Sequence, residues 1–286
     1  MLEKIPPNID PENIKALAFD LDGTILRPDS VLSERTIGVL KALMARNIAV
    51  IITTGRSPQS SEPYRSAIGT EGPMVYYNGA EVILMPVLET LSLSLLEHEI
   101  VNYCVDLARS LEMYMHIFLP RKKGELWELL LAEGFEREAK LYSKRTGLHV
   151  SFDDLKTAME DPSVKGCIKM MLIADEDKLK IVSDKLNVRF GDRVYMARSY
   201  PRFLEIINGR ANKGNGLSLA LNYLGISNKN VIAFGDADND IPLFKAAGFS
   251  IAPANADTHV LQAVDMIVDS NLNDGVAAFL ERLFSL

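Results

Sequence analysis

The stretch Ala18-Phe19-Asp20-Leu21-Asp22-Gly23-Thr24-Ile25-Leu26 passes from apolar to acidic within a few residues. Ala16-Leu17-Ala18-Phe19 reads as a strand covered on both faces, because four apolar side chains follow one another without alternation. Two carboxylates come next, two residues apart, and then a glycine. Side chains alternate along a strand, so a buried strand end aims Asp20 and Asp22 at similar places. Like charges held that close repel each other. Three resolutions are open: a cation sits between them, one is protonated, or the strand has ended and both face water.

The same punctuation recurs along the chain. Residues 48–52 form a second apolar run, which ends at Thr53-Thr54-Gly55-Arg56. Residues 74–77 form a third strand, closed by Asn78-Gly79. Residues 231–234 form a fourth, ending in Gly235-Asp236-Ala237-Asp238-Asn239-Asp240. A helical pattern occupies 34–46, with Ser33 as its N-cap, and another helix is expected from Pro58. Residues 213–224, 241–247 and 275–284 read as helices, with Gly248 stopping the second. Residues 249–251 and 266–268 read as short strands. Buried strands alternating with helices predict an α/β fold, a Rossmann-like parallel sheet covered on both faces.

The middle of the chain has a different style. Helices are expected at 94–109, 125–133 and 175–186, strands at 113–119 and 165–172, and an antiparallel pair at 193–198 and 202–207. This predicts an α+β domain inserted into the α/β one. The expected division is 1–81 (with a leader, 1–13) and 209–286 for the core, and 82–208 for the insert.

Composition bounds the function. A chain of 286 residues holds one large domain or two medium ones. Its 48% hydrophobic and 24% charged content is that of a globular protein. A net charge of −7 argues against a general nucleic-acid or anionic-membrane surface, while leaving room for a local basic pocket. No apolar run reaches the ~20 residues of a membrane span, and the first residues lack the apolar centre of a signal peptide. Cys104 and Cys167 make neither a disulfide framework nor a metal cluster, and read as free core thiols. A cytoplasmic location is expected.

The chemistry is concentrated at strand ends. In a parallel sheet the carboxyl ends of the strands line one edge, where ligands bind. If these strands are neighbours, Asp20, Asp22, Thr54 and Asp236 converge into an oxygen-rich pocket suited to Mg²⁺, which takes few carboxylates plus water and a substrate phosphate. Residues 236–240 carry acids at alternate positions, as a calcium loop does. Ile241 stands where that loop needs Gly, and Ala247 where it needs Glu, so the pattern fails. Lys213, near a helix start, is mildly unfavourable with the helix dipole, and a bound anion makes sense of it.

Together these pieces resemble the haloacid dehalogenase-like phosphatases, in particular the Cof-type branch with a large inserted cap domain. Asp20-Leu21-Asp22-Gly23-Thr24 corresponds to the family's first motif, Thr54 with Gly55-Arg56 to the second, Lys213 to the third, and Gly235-Asp236 through Asn239-Asp240 to the fourth. Asn78-Gly79-Ala80, and Asn271 through Gly275-Val276, are further family-like stretches. The resemblance implies that Asp20 is the nucleophile and forms an aspartyl-phosphate. It implies that Asp22 is the general acid, then the base. Mg²⁺ is expected on Asp20, on the backbone carbonyl of Asp22 and on Asp236, with Asp240 and Asn239 acting through water or by orienting neighbours. Thr54 and Lys213 are expected to hold phosphoryl oxygens, and backbone N–H groups near Leu21 and Gly55 to complete the cradle. Arg56 is a candidate anchor, and Asn78 a candidate for orienting pocket residues. In the cap, His116, Trp127, Tyr142, Lys144 and Arg145 are candidate substrate contacts that also have plain readings as fold or surface residues.

The chain departs from the branch at Asn212, where Ser is common, and at Ala252-Pro253-Ala254-Asn255-Ala256, where Met-Gly-Asn-Ala is common; Pro253 removes a backbone donor. No catalytic group is lost. The expected activity is hydrolysis of small phosphate esters, sugar phosphates or similar, without nucleic-acid or membrane partners. A sugar phosphomutase and a non-catalytic phosphometabolite sensor are the alternatives.

Overall fold

The structure is a computed structural model describing residues 9–122, 125 and 127–286. The chain divides into two compact units. One comprises 1–57, 61–91 and 212–286, and the other 58–60 and 92–211.

The first unit is built on a five-stranded parallel sheet. Its strands are β1 (Ala16–Phe19), β2 (Ala49–Ile52), β12 (Val231–Phe234), β13 (Phe249–Pro253) and β14 (Met266–Val268), in the order β14-β13-β12-β1-β2. β1 lies between β2 and β12, Phe19 opposite both Ile52 and Phe234. Every side chain of β1 and β12 is buried, which explains the unbroken apolar runs. Helices α1 (Glu34–Ala45), α2 (Pro58–Ile68), α7 (Lys213–Leu224), α8 (Ile241–Ala246), α9 (Thr258–Leu261) and α10 (Gly275–Phe284) alternate with the strands. The Ser33 hydroxyl caps α1 by accepting from Thr36 N–H (3.1 Å), and Asn212 caps α7 by accepting from Asn215 N–H (2.8 Å). A Cβ at Gly216 would overlap Val75, so a glycine there lets α7 pack closely on the strand below.

The second unit is a six-stranded sheet with helices. Its elements are α3 (His98–Ser110), β6 (Tyr114–Leu119), β7 (Leu129–Glu133), α4 (Glu136–Thr146), β8 (Ser151–Phe152), α5 (Leu155–Glu160), β9 (Lys169–Ile173), α6 (Glu176–Phe190), β10 (Val194–Tyr200) and β11 (Phe203–Asn208). The strand order is β10-β11-β9-β6-β7-β8, all pairs antiparallel except β7 with β8. Its core cluster is formed by side chains of α3, α5 and α6 with one face of the sheet.

Several expectations need correcting. The third strand, β3 (Gly72–Tyr76), does not join the parallel ladder. It touches it by a single bridge, Thr53 to Val75, and pairs instead with β4 (Glu81–Met85), beside β5 (Glu89–Leu93), in a three-stranded sheet. Tyr77 and Asn78 both take positive φ, so Asn78-Gly79 reverses the chain into a hairpin rather than starting a crossover. The helix expected at 125–133 is absent over 129–133, where β7 pairs with β6; Leu126 lies outside the described residues. Leu and Glu favour helices weakly, and a buried cross-strand ladder overrides that preference. The helix expected from 94 begins at His98, because Leu96 bridges to Cys167. Of the expected leader, residues 1–8 lie outside the described residues, and Pro11–Asn13 form a short turn capped by Asp10.

Candidate active site

The ends of β1 and β12, neighbours in the sheet, deliver the acids. Asp20 follows β1 directly, and its N–H donates to the Phe234 carbonyl at the end of β12 (2.9 Å). Asp236 and Asp240 lie in the loop after β12. One carboxylate oxygen from each of Asp20, Asp236 and Asp240 falls within 4.8 Å of the others. Lys213, the first residue of α7, reaches into this cluster. Its ammonium donates to Asp20 Oδ1 at 2.7 Å and to Asp240 Oδ1 at 2.6 Å. The lysine side chain is fully buried, so these acceptors replace its lost water.

The loop after β12 is folded around Asp240. Its second oxygen accepts from the N–H groups of Asp236 (3.0 Å) and Ala237 (3.1 Å). Asp240 is therefore engaged at both oxygens and fixes Lys213 and Asp236 together. Thr24 donates from its hydroxyl to Asp236 Oδ1 (2.8 Å), tying the first loop to the fourth. Gly23 has φ +80°, and a Cβ there would overlap the Asp236 carboxylate. Glycine at 23 thus serves both a left-handed backbone and the close approach of an acid.

The carboxylates of Asp20 and Asp22 do not converge. The strand ends at Phe19, and the two side chains part. Asp20 is buried beside Lys213, whereas the Asp22 carboxylate is half-exposed and gripped by Arg56, whose Nε and Nη2 each donate at 2.6 Å. This fork is a bidentate, charge-assisted pair. Arg56 also lies over the Tyr64 ring, 5.0 Å from its centroid. The Asp22 carboxylate is outside the three-acid cluster.

The other expected site residues have the following partners. Thr54 is fully buried; its N–H donates to Val75 O (2.9 Å) and its hydroxyl accepts from Arg56 N–H (3.1 Å). A Cβ at Gly55 would stand 3.0 Å from Asn78 Oδ1, so the second loop packs against Asn78. Asn78 donates from its backbone N–H to Thr54 O (2.9 Å) and accepts at Oδ1 from the Asn239 amide (2.9 Å). It therefore links the second loop to the fourth. Leu21 is buried, and its carbonyl accepts from the N–H groups of Thr24, Ile25 and Leu26, which closes the first loop. Asn255 donates to Gly23 O (2.8 Å), a contact with the first loop.

The electrostatics follow from burial. Burial pushes the Asp20 carboxyl well above the usual range; Lys213 opposes this, while Asp240 and Asp236 add to it. Burial, and then the Asp240 charge, push Asp236 up to about 7. Burial alone would lower Lys213, but the Asp20 and Asp240 charges win and leave it raised, so it stays an ammonium. Three carboxylates against one ammonium leave negative charge uncompensated. The all-oxygen donor set and this excess suit a hard divalent cation such as Mg²⁺.

Comparison with known proteins identifies the family. The sequence pattern of the haloacid dehalogenase-like hydrolases matches residues 17–280. The chain belongs to this family of hydrolases. It is 27% identical to a 5-amino-6-(5-phospho-D-ribitylamino)uracil phosphatase of Bacillus subtilis, covering 94% of this chain and 97% of that one. It is 27% identical to a phosphoglycolate phosphatase of Methanopyrus kandleri, covering 92% and 94%. A crystal structure of a haloacid dehalogenase-like hydrolase from Bacteroides thetaiotaomicron superposes with a TM-score of 0.83 at 26% identity, over 95% of this chain and all of that one. Among the described residues, no helix is long and apolar enough to cross a membrane.

Sequence reasoning did not assign Thr24 a role, although it sits in the quoted motif; its hydroxyl after Gly23 was the available signal. The Arg56–Asp22 fork had no signal, because the partners are 34 residues apart.

Proposed function

We propose that this hydrolase is a Mg²⁺-dependent phosphatase of small phosphorylated metabolites, sugar phosphates or similar esters, acting through an aspartyl-phosphate on Asp20. The observation that carries the proposal is the buried constellation of Asp20, Lys213, Asp240 and Asp236 at neighbouring strand ends. Lys213 holds Asp20 by one oxygen, which leaves the other for attack on phosphorus. Two of its three N–H bonds are used by Asp20 and Asp240, and the third serves a phosphoryl oxygen. The P–O bond to the alcohol breaks as the Asp20–phosphorus bond forms, and Asp22 gives its proton to the departing oxygen. Asp22 then takes a proton from water, which attacks phosphorus and frees Asp20 and phosphate. Proton transfer requires Arg56 to release at least one of the two Asp22 oxygens it holds. Asp20, Asp236 and the Asp22 carbonyl would hold Mg²⁺, which when bound neutralises charge on the transferring group. Asp240 positions Lys213 and the loop.

Two relatives of equal identity are named for esters with different alcohols, a ribitylamino compound and glycolate. Identity at that level follows the reaction and not the alcohol. The test is phosphate release from a panel of sugar phosphates, nucleotides and p-nitrophenyl phosphate, with Mg²⁺ and with EDTA. Metal-dependent release, lost in Asp20→Asn, is expected. Isomerised sugar phosphate without free phosphate would instead make the protein a phosphomutase.

A further inference from the structure

Asn255 and Asn271 border the loop that carries Asp22. Asn255 follows β13, in the stretch 252–256 where the chain departs from the Cof-type pattern, and Asn271 opens the family-like stretch before α10. Pro253 ends β13, and its carbonyl accepts from Ala256 N–H (2.9 Å), which closes a tight turn with Asn255 inside it. Ala254 N–H donates to Val268 O (2.9 Å) at the end of β14, and Asp257 N–H donates to Asp236 O (3.0 Å). Backbone bonds thus anchor the turn to the neighbouring strand on one side and to the loop after β12 on the other.

From this turn Asn255 reaches the first loop. Its Nδ2 donates to Gly23 O (2.8 Å), and its Oδ1 accepts from Asn271 N–H (2.9 Å). The amide nitrogen faces an acceptor and the amide oxygen faces a donor, so the side chain fits in one orientation. Asn271 is buried, and its Nδ2 donates to Leu26 O (2.7 Å). Gly23 follows Asp22 directly, and Leu26 is the bridge partner of Asp22. The Asp22 backbone is therefore held from both sides by two asparagines bonded to each other. Gly23, at φ +80°, is where the loop has most freedom to lose. Among the described residues, no hydrogen bond joins either side chain to Asp20, Asp22, Asp236, Asp240 or Lys213 side chains.

We propose that Asn255 and Asn271 are positioning residues for Asp22, holding the turn from Asp22 to Leu26 so that the Asp22 carboxyl meets the departing alcohol oxygen. This rests on the reading of Asp22 as the acid of the phosphatase step. Arg56 grips the Asp22 carboxylate and has to release at least one oxygen before a proton can pass. Once it does so, the backbone alone aims the side chain, and the backbone is what the two asparagines fix. In the step itself Asp22 gives its proton to the ester oxygen as the P–O bond breaks and the Asp20–phosphorus bond forms; the asparagines exchange no proton. A misplaced acid slows only those reactions whose leaving oxygen needs the proton. A sugar alcohol needs it, whereas p-nitrophenolate departs without it. Loss of the hold therefore discriminates between esters, and general loosening of the site does not.

The experiment compares the full chain as wild type, Asn255→Ala, Asn255→Asp and a control, Asn273→Ala, whose amide lies in the loop before α10 and bonds Asp269. Asn255→Asp keeps the acceptor for Asn271 N–H and removes only the donor to Gly23. Amide hydrogen exchange at Thr24, Ile25 and Leu26 reads the hold without any chemistry. The value of kcat/KM, which covers the steps up to departure of the alcohol, is measured for the sugar phosphate that the wild type hydrolyses best and for p-nitrophenyl phosphate. In both Asn255 variants exchange should quicken about three- to tenfold, as expected for one lost hydrogen bond. Their kcat/KM should fall about tenfold for the sugar phosphate and less than about twofold for p-nitrophenyl phosphate, and Asn273→Ala should change neither. Unchanged exchange in the folded Asn255 variants overturns the hold. Faster exchange with equal losses on both esters overturns the placement of Asp22. Faster exchange in a protein whose wild type releases phosphate from no ester overturns the phosphatase reading, and with it the purpose of the hold, while the hold itself stands.

Discussion

Replacing Lys213 by Met tests whether the buried lysine is the counter-ion of the acid cluster. Its ammonium lies 2.7 Å from Asp20 and 2.6 Å from Asp240, with no solvent exposure. Removing one partner from a buried ion pair costs about 3–5 kcal/mol, because the abandoned charges remain buried. At about 2–4 °C per kcal/mol for a unit of this size, the melting temperature in EDTA is expected to fall by about 6–20 °C at pH 8. The sign of the pH dependence is fixed by the acids. Asp20 is raised and Asp236 stands at about 7 while Lys213 is still present to lower both. Without it both rise further. An acid raised in the folded state retains a proton that the unfolded chain has released, so the penalty grows as pH rises from about 4 through 7 and shrinks as pH falls. The assay is thermal unfolding of wild type and Lys213→Met in EDTA at pH 5.5 and 8. A loss below about 1 kcal/mol, or the same loss at both pH values, would refute the counter-ion argument.

Three further outcomes follow from the same geometry. Gly23→Ala puts a methyl into the Asp236 carboxylate at a backbone φ of +80°, so Mg²⁺ binding by calorimetry should vanish in a protein that still folds. Mg²⁺ must displace the proton held by Asp236 near pH 7, so its dissociation constant should be roughly 20-fold weaker at pH 5.5 than at pH 7.5; a flat profile would remove Asp236 from the ligands. Asn78→Ala, at φ 55°, should destabilise by about 1–3 kcal/mol and lower kcat, whereas Asn78→Gly should restore the stability and not the kcat, since neither supplies the oxygen that Asn239 uses.

The sheet was legible where burial dictates composition. Strands β1, β2 and β12 are apolar throughout because both faces are covered, and their ends show as an abrupt arrival of Asp, Thr or Gly. The meeting of Asp20 and Asp236 followed from those strand ends, whereas Lys213 entered through the family resemblance and the Asp22 carboxylate, expected among them, turned away to Arg56. What the sequence hid was partnership between distant residues. Nothing local says that Arg56 holds Asp22, or that Asn239 holds Asn78 across 161 positions. The strand at β7 was hidden by leucines that favour a helix until β6 supplies a ladder. β3 was misplaced because an Asn-Gly pair serves equally to end a strand and to turn a hairpin.

The most direct test of the central claim is to acid-quench the protein during turnover of a ³²P-labelled ester with Mg²⁺ and map the labelled peptide. An acid-stable label on the peptide containing Asp20 is expected, absent in Asp20→Asn together with phosphate release. Undiminished phosphate release from Asp20→Asn, or a label on another residue, would contradict it.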